Sequence, residues 1–460
     1  MEHSYLSIID EKAKLLEDTA NFLWDNPETA FTEYKAAAYL CEILRKEGFT
    51  VQENLAGIKT AFSGTYGSGK PVIGILGEFD ALSGLSQEAG CQEKKSLGGS
   101  AGHGCGHHLY AAGSLGAAIA IKNWLEETGS SGTVVFFGTP GEEGGSGKSF
   151  MARDGVFDGL DAAFAWHPSF ANKLWTERYL ANYQILYKFD GTSSHASSRP
   201  ELGRSALDAV ELMNVGVQFL REHMPSNCRV HYAITDTGGL SPNVVQPHAE
   251  VLYLIRGADN ASVKELYNRV NDIAKGAALM TSTKESHEFI KACSNLVHNT
   301  VLRKILYDKL VEIGPPAMDE QDIQTAREYS QVALNGVPGV TPDTPIDDYV
   351  YEYTETEAQS YGSTDVGDVS WVCPTAQIFT ATYARGTAAH TWQMVSQGKL
   401  PQAHKMTRYA AKVLAASAVE LFQNPDLLAK AQEEFRGRVG PTGYEPPIPK
   451  DVRPRAINSL

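Results

Sequence analysis

The chain has 460 residues, with 40 Lys+Arg against 55 Asp+Glu for a formal charge of −15, and is 42% hydrophobic and 9% aromatic. This composition excludes collagen, coiled coil and wholesale disorder, and at about 150 residues per domain the length suits two or three self-sufficient cores. The acidic balance argues against nucleic-acid and anionic-membrane partners, which reward clustered Lys and Arg, and favours a small-molecule ligand.

Residues 6–24 and 33–47 carry apolar side chains at helical spacing, and Gly48 can end the second helix. Residues 71–77 form a short apolar run bounded by Pro and Gly, which predicts a buried strand. An Ala-rich helix over 109–127 follows, then strand-like runs at 133–138 and 161–166. Strands alternating with helices predict an α/β sheet, where ligands bind beyond the carboxyl ends of the strands. The pattern changes after about Trp175. Strands are predicted at 179–189, 228–235 and 250–256, separated by helices at 205–224 and 262–281. Helical periodicity returns at 300–313 and 320–334, an irregular connection runs over 335–362, and a strand at 376–384 and an amphipathic helix at 402–422 close the chain. The expected organisation is a catalytic domain (1–178 and 294–460) interrupted by an inserted α+β domain (179–293).

No run approaches the roughly 18 apolar residues of a membrane span. Residues 1–10 lack the apolar core of a signal peptide. The six cysteines follow no regular framework, so a reducing, cytoplasmic compartment is expected.

Four potential metal ligands crowd into Gly102-His103-Gly104-Cys105-Gly106-His107-His108. The intervening glycines let the backbone turn so that Cys105 and His107 face one point, and thiolate with imidazole suits zinc or another transition ion. After the next strand, Pro140-Gly141-Glu142-Glu143-Gly144-Gly145 places adjacent carboxylates in a loop. Read alone this is a solvated acidic turn; beside a metal cluster, one carboxylate can ligate while its neighbour takes a proton from the attacking water. Trp166-His167-Pro168 and Gly386-Thr387-Ala388-Ala389-His390 also follow predicted strands. Four such loops therefore leave one end of one inferred sheet. Glu78 and Asp80, two residues apart, point the same way, and Asp80 suits the orienting of a ligand imidazole.

Two phosphate-loop look-alikes fail. Gly64-Thr65-Tyr66-Gly67-Ser68-Gly69-Lys70 continues into Pro71 and a strand, which predicts a hairpin turn, and Gly147-Lys148-Ser149 has Glu142 where the upstream glycine belongs.

Taken together, Gly-Glu-Phe-Asp-Ala-Leu from Gly77, His-Gly-Cys-Gly-His from His103, Pro-Gly-Glu-Glu-Gly-Gly, Trp-His-Pro and Gly-Thr-Ala-Ala-His resemble the dinuclear metallopeptidase and amidohydrolase family of aminoacylases, hippurate hydrolases and auxin-conjugate amidohydrolases. The likeness runs from about Trp24 to His404 in motif order, and the Cys-Gly-His form points to the amidohydrolase branch. It implies a metallopeptidase-type α/β catalytic domain, with a central mixed sheet flanked by helices, and an inserted lid or dimerisation domain. It further implies two divalent ions, manganese or zinc, on Cys105, His107, Glu143, His167 and His390, with Glu142 as the base and Asp80 behind His107. Ser194-His195-Ala196 matches the signature whose histidine reaches a neighbouring subunit's site to donate to the oxyanion, and Asn243 and Arg256 match positions near the substrate's carboxylate. The chain departs from many relatives in carrying Glu78 where they have Asp. The implied reaction cleaves an N-acyl amino acid amide, with p-aminobenzoyl-glutamate favoured, and the implied assembly is a homodimer or a heterodimer with a related A subunit. Alternatives are an aminoacylase or dipeptidase acting on another carboxylate-bearing conjugate, and a non-catalytic partner subunit.

Overall fold

The computed structural model describes residues 4–333 and 344–456. Its strands are β1 (Thr50–Glu53), β2 (Phe62–Ser68), β3 (Val72–Glu78), β4 (Leu82–Ser83), β5 (Ala101–Gly102), β6 (Gly132–Thr139), β7 (Ala162–Ser169), β8 (Lys173–Leu174), β9 (Ala181–Asp190), β10 (Arg229–Asp236), β11 (His248–Gly257), β12 (Lys284–Cys293) and β13 (Thr375–Ala381). They make a mixed sheet in the order β1-β2-β6-β3-β7-β13-β8, an antiparallel sheet in the order β10-β11-β9-β12, and a small β4-β5 ladder.

The centre of the mixed sheet is parallel: β3 runs with β6 and β7, and β7 with β13. Helices cover both faces of such a sheet, which is why these strands read as continuous apolar runs rather than alternating ones. The helix His107–Thr128 packs on this sheet and against the helix Pro401–Gln423. Close approach requires small residues: a Cβ on Gly113 would lie 2.7 Å from the Trp166 ring. The expected amphipathic character of 402–422 is not what the packing uses, because the later helix is buried on nearly every side between Gln402 and Leu421.

Several expectations are corrected. The segment 64–70 is no hairpin turn. β6, buried at every residue, lies between β2 and β3, antiparallel to the first and parallel to the second, since an all-apolar strand gains most from a central position. The first helix is two, Ser7–Glu11 and Ala13–Asp25, broken at Lys12. The chain does not close at 422: a helix Pro425–Val439 follows, its Pro425 at the first turn, where a missing N–H costs nothing. Strands β1, β2, β8 and β12 carried no sequence expectation. β12 is an edge strand with a polar first half, so it lacks the alternation that marks a half-buried strand. Leu334 of the expected 320–334 helix and residues 335–343 of the expected connection lie outside the described residues; 344–362 is irregular.

In the second sheet the helices Ala206–Arg221 and Asn260–Thr281 pack together and on β11 and β9. Among the described residues no helix is long and apolar enough to cross a membrane.

Candidate metal centre

The parallel strands β3, β6, β7 and β13 bring their carboxyl ends to one rim. Glu78 ends β3, Glu142 and Glu143 follow β6, His167 lies within β7, and His390 sits on the loop after β13. His107 opens the Ala-rich helix behind Gly106, whose φ of +82° and a Cβ that would fall 2.4 Å from the Tyr383 hydroxyl leave room only for glycine. His390 takes a left-handed φ of 61°, and its N–H donates to the Gly104 carbonyl at 2.7 Å, tying the two ligand-bearing loops together.

The side chains meet. Cys105, His107 and His167 offer ligand atoms all within 4.8 Å of one another, as do Cys105, Glu143 and His390. Cys105 Sγ is 3.5 Å from His167 Nε2, and His390 Nε2 is 3.3 Å from Glu143 Oε2. Cys105 belongs to both sets, so its sulfur could serve either group. Asp80 Oδ1 lies 2.9 Å from His107 Nδ1 and Oδ2 accepts the Glu143 N–H at 3.0 Å, so one carboxylate orients two of the candidate ligands. His167 Nδ1 faces the Pro168 carbonyl at 2.8 Å, which leaves Nε2 to the cavity. With Cys105, Glu142, Glu143 and His390, His167 lines a cavity of about 400 Å³ that Trp175, Tyr179 and Phe379 also line.

The electrostatics are those of too many acids in too little water. Burial, then Glu78, Glu143 and Asp365, raise the Glu142 carboxyl well above the usual range. Burial also works against ionised Glu143, but the hydrogen bond with His390 and the His107 charge outweigh it and hold its carboxyl low. Burial opposes a charge on His107, yet Cys105, Glu78 and Asp80 overcome it and raise its affinity for a proton. The Cys105 thiol is pushed up by burial and Glu143. His107 Nε2 and Glu143 Oε1 are buried with no hydrogen-bond partner among the described residues. Orphaned lone pairs inside a His, Cys and carboxylate donor set fit divalent transition ions.

Not every candidate is gathered here. His103 and His108 turn away, facing the Leu23 and Gly398 carbonyls. His195 lies on an exposed loop of the second sheet's domain, where its Nδ1 accepts from the Ser197 and Ser198 N–H groups, so that Nε2 carries the proton outward. Asn243, also exposed, holds that loop through its carbonyl to the Ala196 N–H. Neither lines the cavity. Arg256 donates to Ser363 Oγ at 2.9 Å, and Ser363 does line it.

The profile of Peptidase family M20/M25/M40 matches residues 75–435. The chain belongs to this family. It is 46% identical to the B subunit of p-aminobenzoyl-glutamate hydrolase from Escherichia coli (strain K12), over 96% of each chain. It is 28% identical to the Xaa-Arg dipeptidase of Mus musculus, over 93% of this chain and 90% of that one. The fold matches a Bacillus subtilis dinuclear metal binding peptidase of the M20 family at a TM-score of 0.57 and 16% identity, covering 88% of this chain and 99% of that one. Membership of the M20/M25/M40 family makes the chain a hydrolase of the metallopeptidase and amidohydrolase type.

Three residues around the centre were not singled out from sequence. Glu33 accepts the Gly141 N–H at 2.9 Å beside the paired glutamates, and burial with the Asp80 charge raises its carboxyl to about 8. Lys148, part of a rejected phosphate loop, is fully buried between Glu78 and Asp365. Asp365 lies in a Gly-Ser-Thr-Asp-Val run whose acid gave no sign from spacing alone that it would pair with a lysine so far away in the chain.

Proposed function

We propose that this chain hydrolyses the amide of an N-acyl amino acid, with p-aminobenzoyl-glutamate as substrate and p-aminobenzoate and glutamate as products. The observation that carries the reading is Glu142, placed on the cavity wall beside the Cys105–His107–His167 and Cys105–Glu143–His390 groups and belonging to neither. A protein that only stored metal would have no use for a second, non-ligating carboxylate there. Cys105, His107, Glu143, His167 and His390 would hold two ions, manganese or zinc, which when bound supply a Lewis acid that polarises the amide carbonyl and acidifies water. Glu142 takes the proton of the attacking water and returns it to the leaving nitrogen, a task suited to a carboxyl whose proton affinity is raised. His195 donates through Nε2 to the oxyanion, and Asn243 and Arg256 bind the substrate's carboxylate. The 46% identity to one of the two subunits of a p-aminobenzoyl-glutamate hydrolase supports this choice of substrate.

Residues 179–293 act as lid and dimerisation domain. The outer face of the helix Ala206–Arg221 exposes Leu212, Val215 and Phe219 at helical spacing, Phe219 at 72%, beside Tyr232 and Ile234 on the edge strand β10. An apolar stripe next to an open strand edge favours a second subunit, either a copy of this chain or a related A subunit. That subunit would bring His195 to its neighbour's cavity. Unpaired cysteines favour the cytoplasm as the compartment.

The deciding assay offers p-aminobenzoyl-glutamate and manganese to the purified chain, alone and mixed with an A subunit. Hydrolysis that chelator abolishes and manganese or zinc restores is the expected result. Hydrolysis indifferent to chelator would remove the ions from the mechanism, and none under either condition would remove the substrate. The likeness to an Xaa-Arg dipeptidase supports a second reading, a dipeptidase acting on another carboxylate-bearing conjugate, and Xaa-Arg dipeptides in the same assay separate the two.

A further inference from the structure

Glu78 divides its two oxygens between different partners. Oε1 takes the Lys148 ammonium at 2.6 Å, and Oε2 lies 3.0 Å from His107 Nε2. Lys148 is in turn fixed by Asp365, which accepts from its Nζ at 2.7 Å and from its backbone N–H at 2.8 Å. All three side chains are buried, Lys148 completely. Lys148 also lies six residues after Glu142, so the helical segment that carries the base also anchors Glu78.

The contact between Glu78 and His107 lacks hydrogen-bond geometry, and His107 Nε2 has no hydrogen-bond partner among the described residues. With Nδ1 donating to Asp80, Nε2 presents a lone pair. A lone pair and a carboxylate oxygen held side by side repel each other unless a proton or a metal ion lies between them, and the missing hydrogen-bond geometry argues against the proton. Ligand atoms about 2.1 Å from one ion and at right angles to each other are about 3.0 Å apart, against about 3.4 Å in a tetrahedron. The 3.0 Å between His107 Nε2 and Glu78 Oε2 matches the right-angled spacing. Glu78, His107 and Glu142 also form a third group whose ligand atoms lie within 4.8 Å of one another.

We propose that Glu78 is a further protein ligand of the ion bound by His107, presented by a Lys148–Asp365 clamp, and that it biases this position toward a six-coordinate, oxygen-preferring ion such as manganese over zinc. The inference rests on the two-ion reading above. Lys148 is a positioning residue: it fixes one oxygen and neutralises one acid, which lets the other oxygen face His107 in a site already crowded with carboxylates. The extra methylene of Glu78, relative to the Asp of many relatives, gives the side chain the reach to touch Lys148 and His107 at once.

The test is metal binding by the full chain after chelator stripping, with manganese and zinc titrated separately by calorimetry and bound metal counted by elemental analysis. Glu78→Gln keeps an acceptor for Lys148 but loses the anionic oxygen. It is expected to bind manganese at one of two positions at least about tenfold more weakly, with zinc changed by less than about threefold. Lys148→Met is expected to weaken manganese in the same direction; should it fail to fold, Glu78→Asp, which keeps the charge but shortens the reach, replaces it with the same expected direction. Two manganese ions held by Glu78→Gln with wild-type affinity would overturn the proposal while leaving the two-ion reading intact. Wild-type chain that binds neither metal would instead overturn that earlier reading.

Discussion

At the carboxyl end of the mixed sheet, Glu78, Asp80 and Lys148 are buried and paired through contacts that span long stretches of sequence. The outward face of the second sheet's domain is the opposite, with Phe219, Val215 and Tyr232 exposed, and His195 on an exposed loop, its Nδ1 accepting from two backbone N–H groups. The first region is assembled by folding one chain, and its surplus of acids over cations is what bound ions would offset. The second is left open, because among the described residues nothing covers its apolar surface or His195. A site assembled from both would be half built by folding and half by association, and the predictions test where that division falls.

The largest effect belongs to the folded half. Glu142→Gln should lower kcat by about 10³-fold, the range for loss of a positioned general base, while bound metal per chain stays at the wild-type level. A variant that turned over at the wild-type rate would mean that the base lies elsewhere and that the charge-dense rim serves only to hold ions.

The same division explains what could be read from sequence. Cys105, His107, Glu142, Glu143, His167 and His390 were visible because each sits in a short Gly- or Pro-flanked stretch near the end of a strand, where local pattern and chemistry coincide. The strands β3, β6 and β7 were visible as apolar runs for the same reason. Lys148 was not, because the acids just before it in sequence, Glu142 and Glu143, are not its partners; Glu78 and Asp365 meet it only in the fold. The position of β6 between β2 and β3 was hidden too, since a turn between consecutive strands looks alike whether or not they pair. Nor could spacing show that His103 and His108 turn away from their neighbours to meet the Leu23 and Gly398 carbonyls.

The next effect probes the open half. His195→Ala should reduce kcat by about 10²-fold, the scale of one lost oxyanion donor. If a twofold-related copy supplies His195, mixing inactive Glu142→Gln and His195→Ala chains should recover about a quarter of wild-type sites, because mixed dimers contain one intact pair. Phe219→Asp should prevent that recovery and shift the sedimenting species to monomer. Complementation that survived in a demonstrably monomeric Phe219→Asp chain would show that the apolar stripe is not the surface through which subunits meet.

Asp80→Asn returns to the closed half with a smaller change. An amide can still face His107 but no longer fixes its tautomer by charge or accepts the Glu143 N–H equally well, so metal affinity should fall by about 10- to 100-fold with the fold unchanged. Unaltered affinity would make the Asp80 contact structural packing and no part of the centre.

The smallest effect is on stability against pH, and here two buried histidines of the first region should differ in sign from one half-buried histidine of the second. His298 and His404, in the body around the mixed sheet, are each lowered to about 4 by burial. Between the ordinary histidine value of about 6.5 and about 4 the unfolded chain therefore binds more protons than the folded one, and stability falls as pH falls, by up to ~1.4 kcal/mol per pH unit for each. His248, on β11, is raised instead, chiefly by its hydrogen bond to Asp190. Its small, solvent-screened contribution is present below the unfolded value and is lost as pH rises through the folded one. Melting of the metal-free chain should thus drop between pH 6.5 and 4, and His404→Gln should flatten that drop, whereas His248→Gln should leave it in place and remove a slight gain on the acid side. A melting temperature independent of pH across that window would mean that His298 and His404 take up protons in the folded protein as readily as in the unfolded chain.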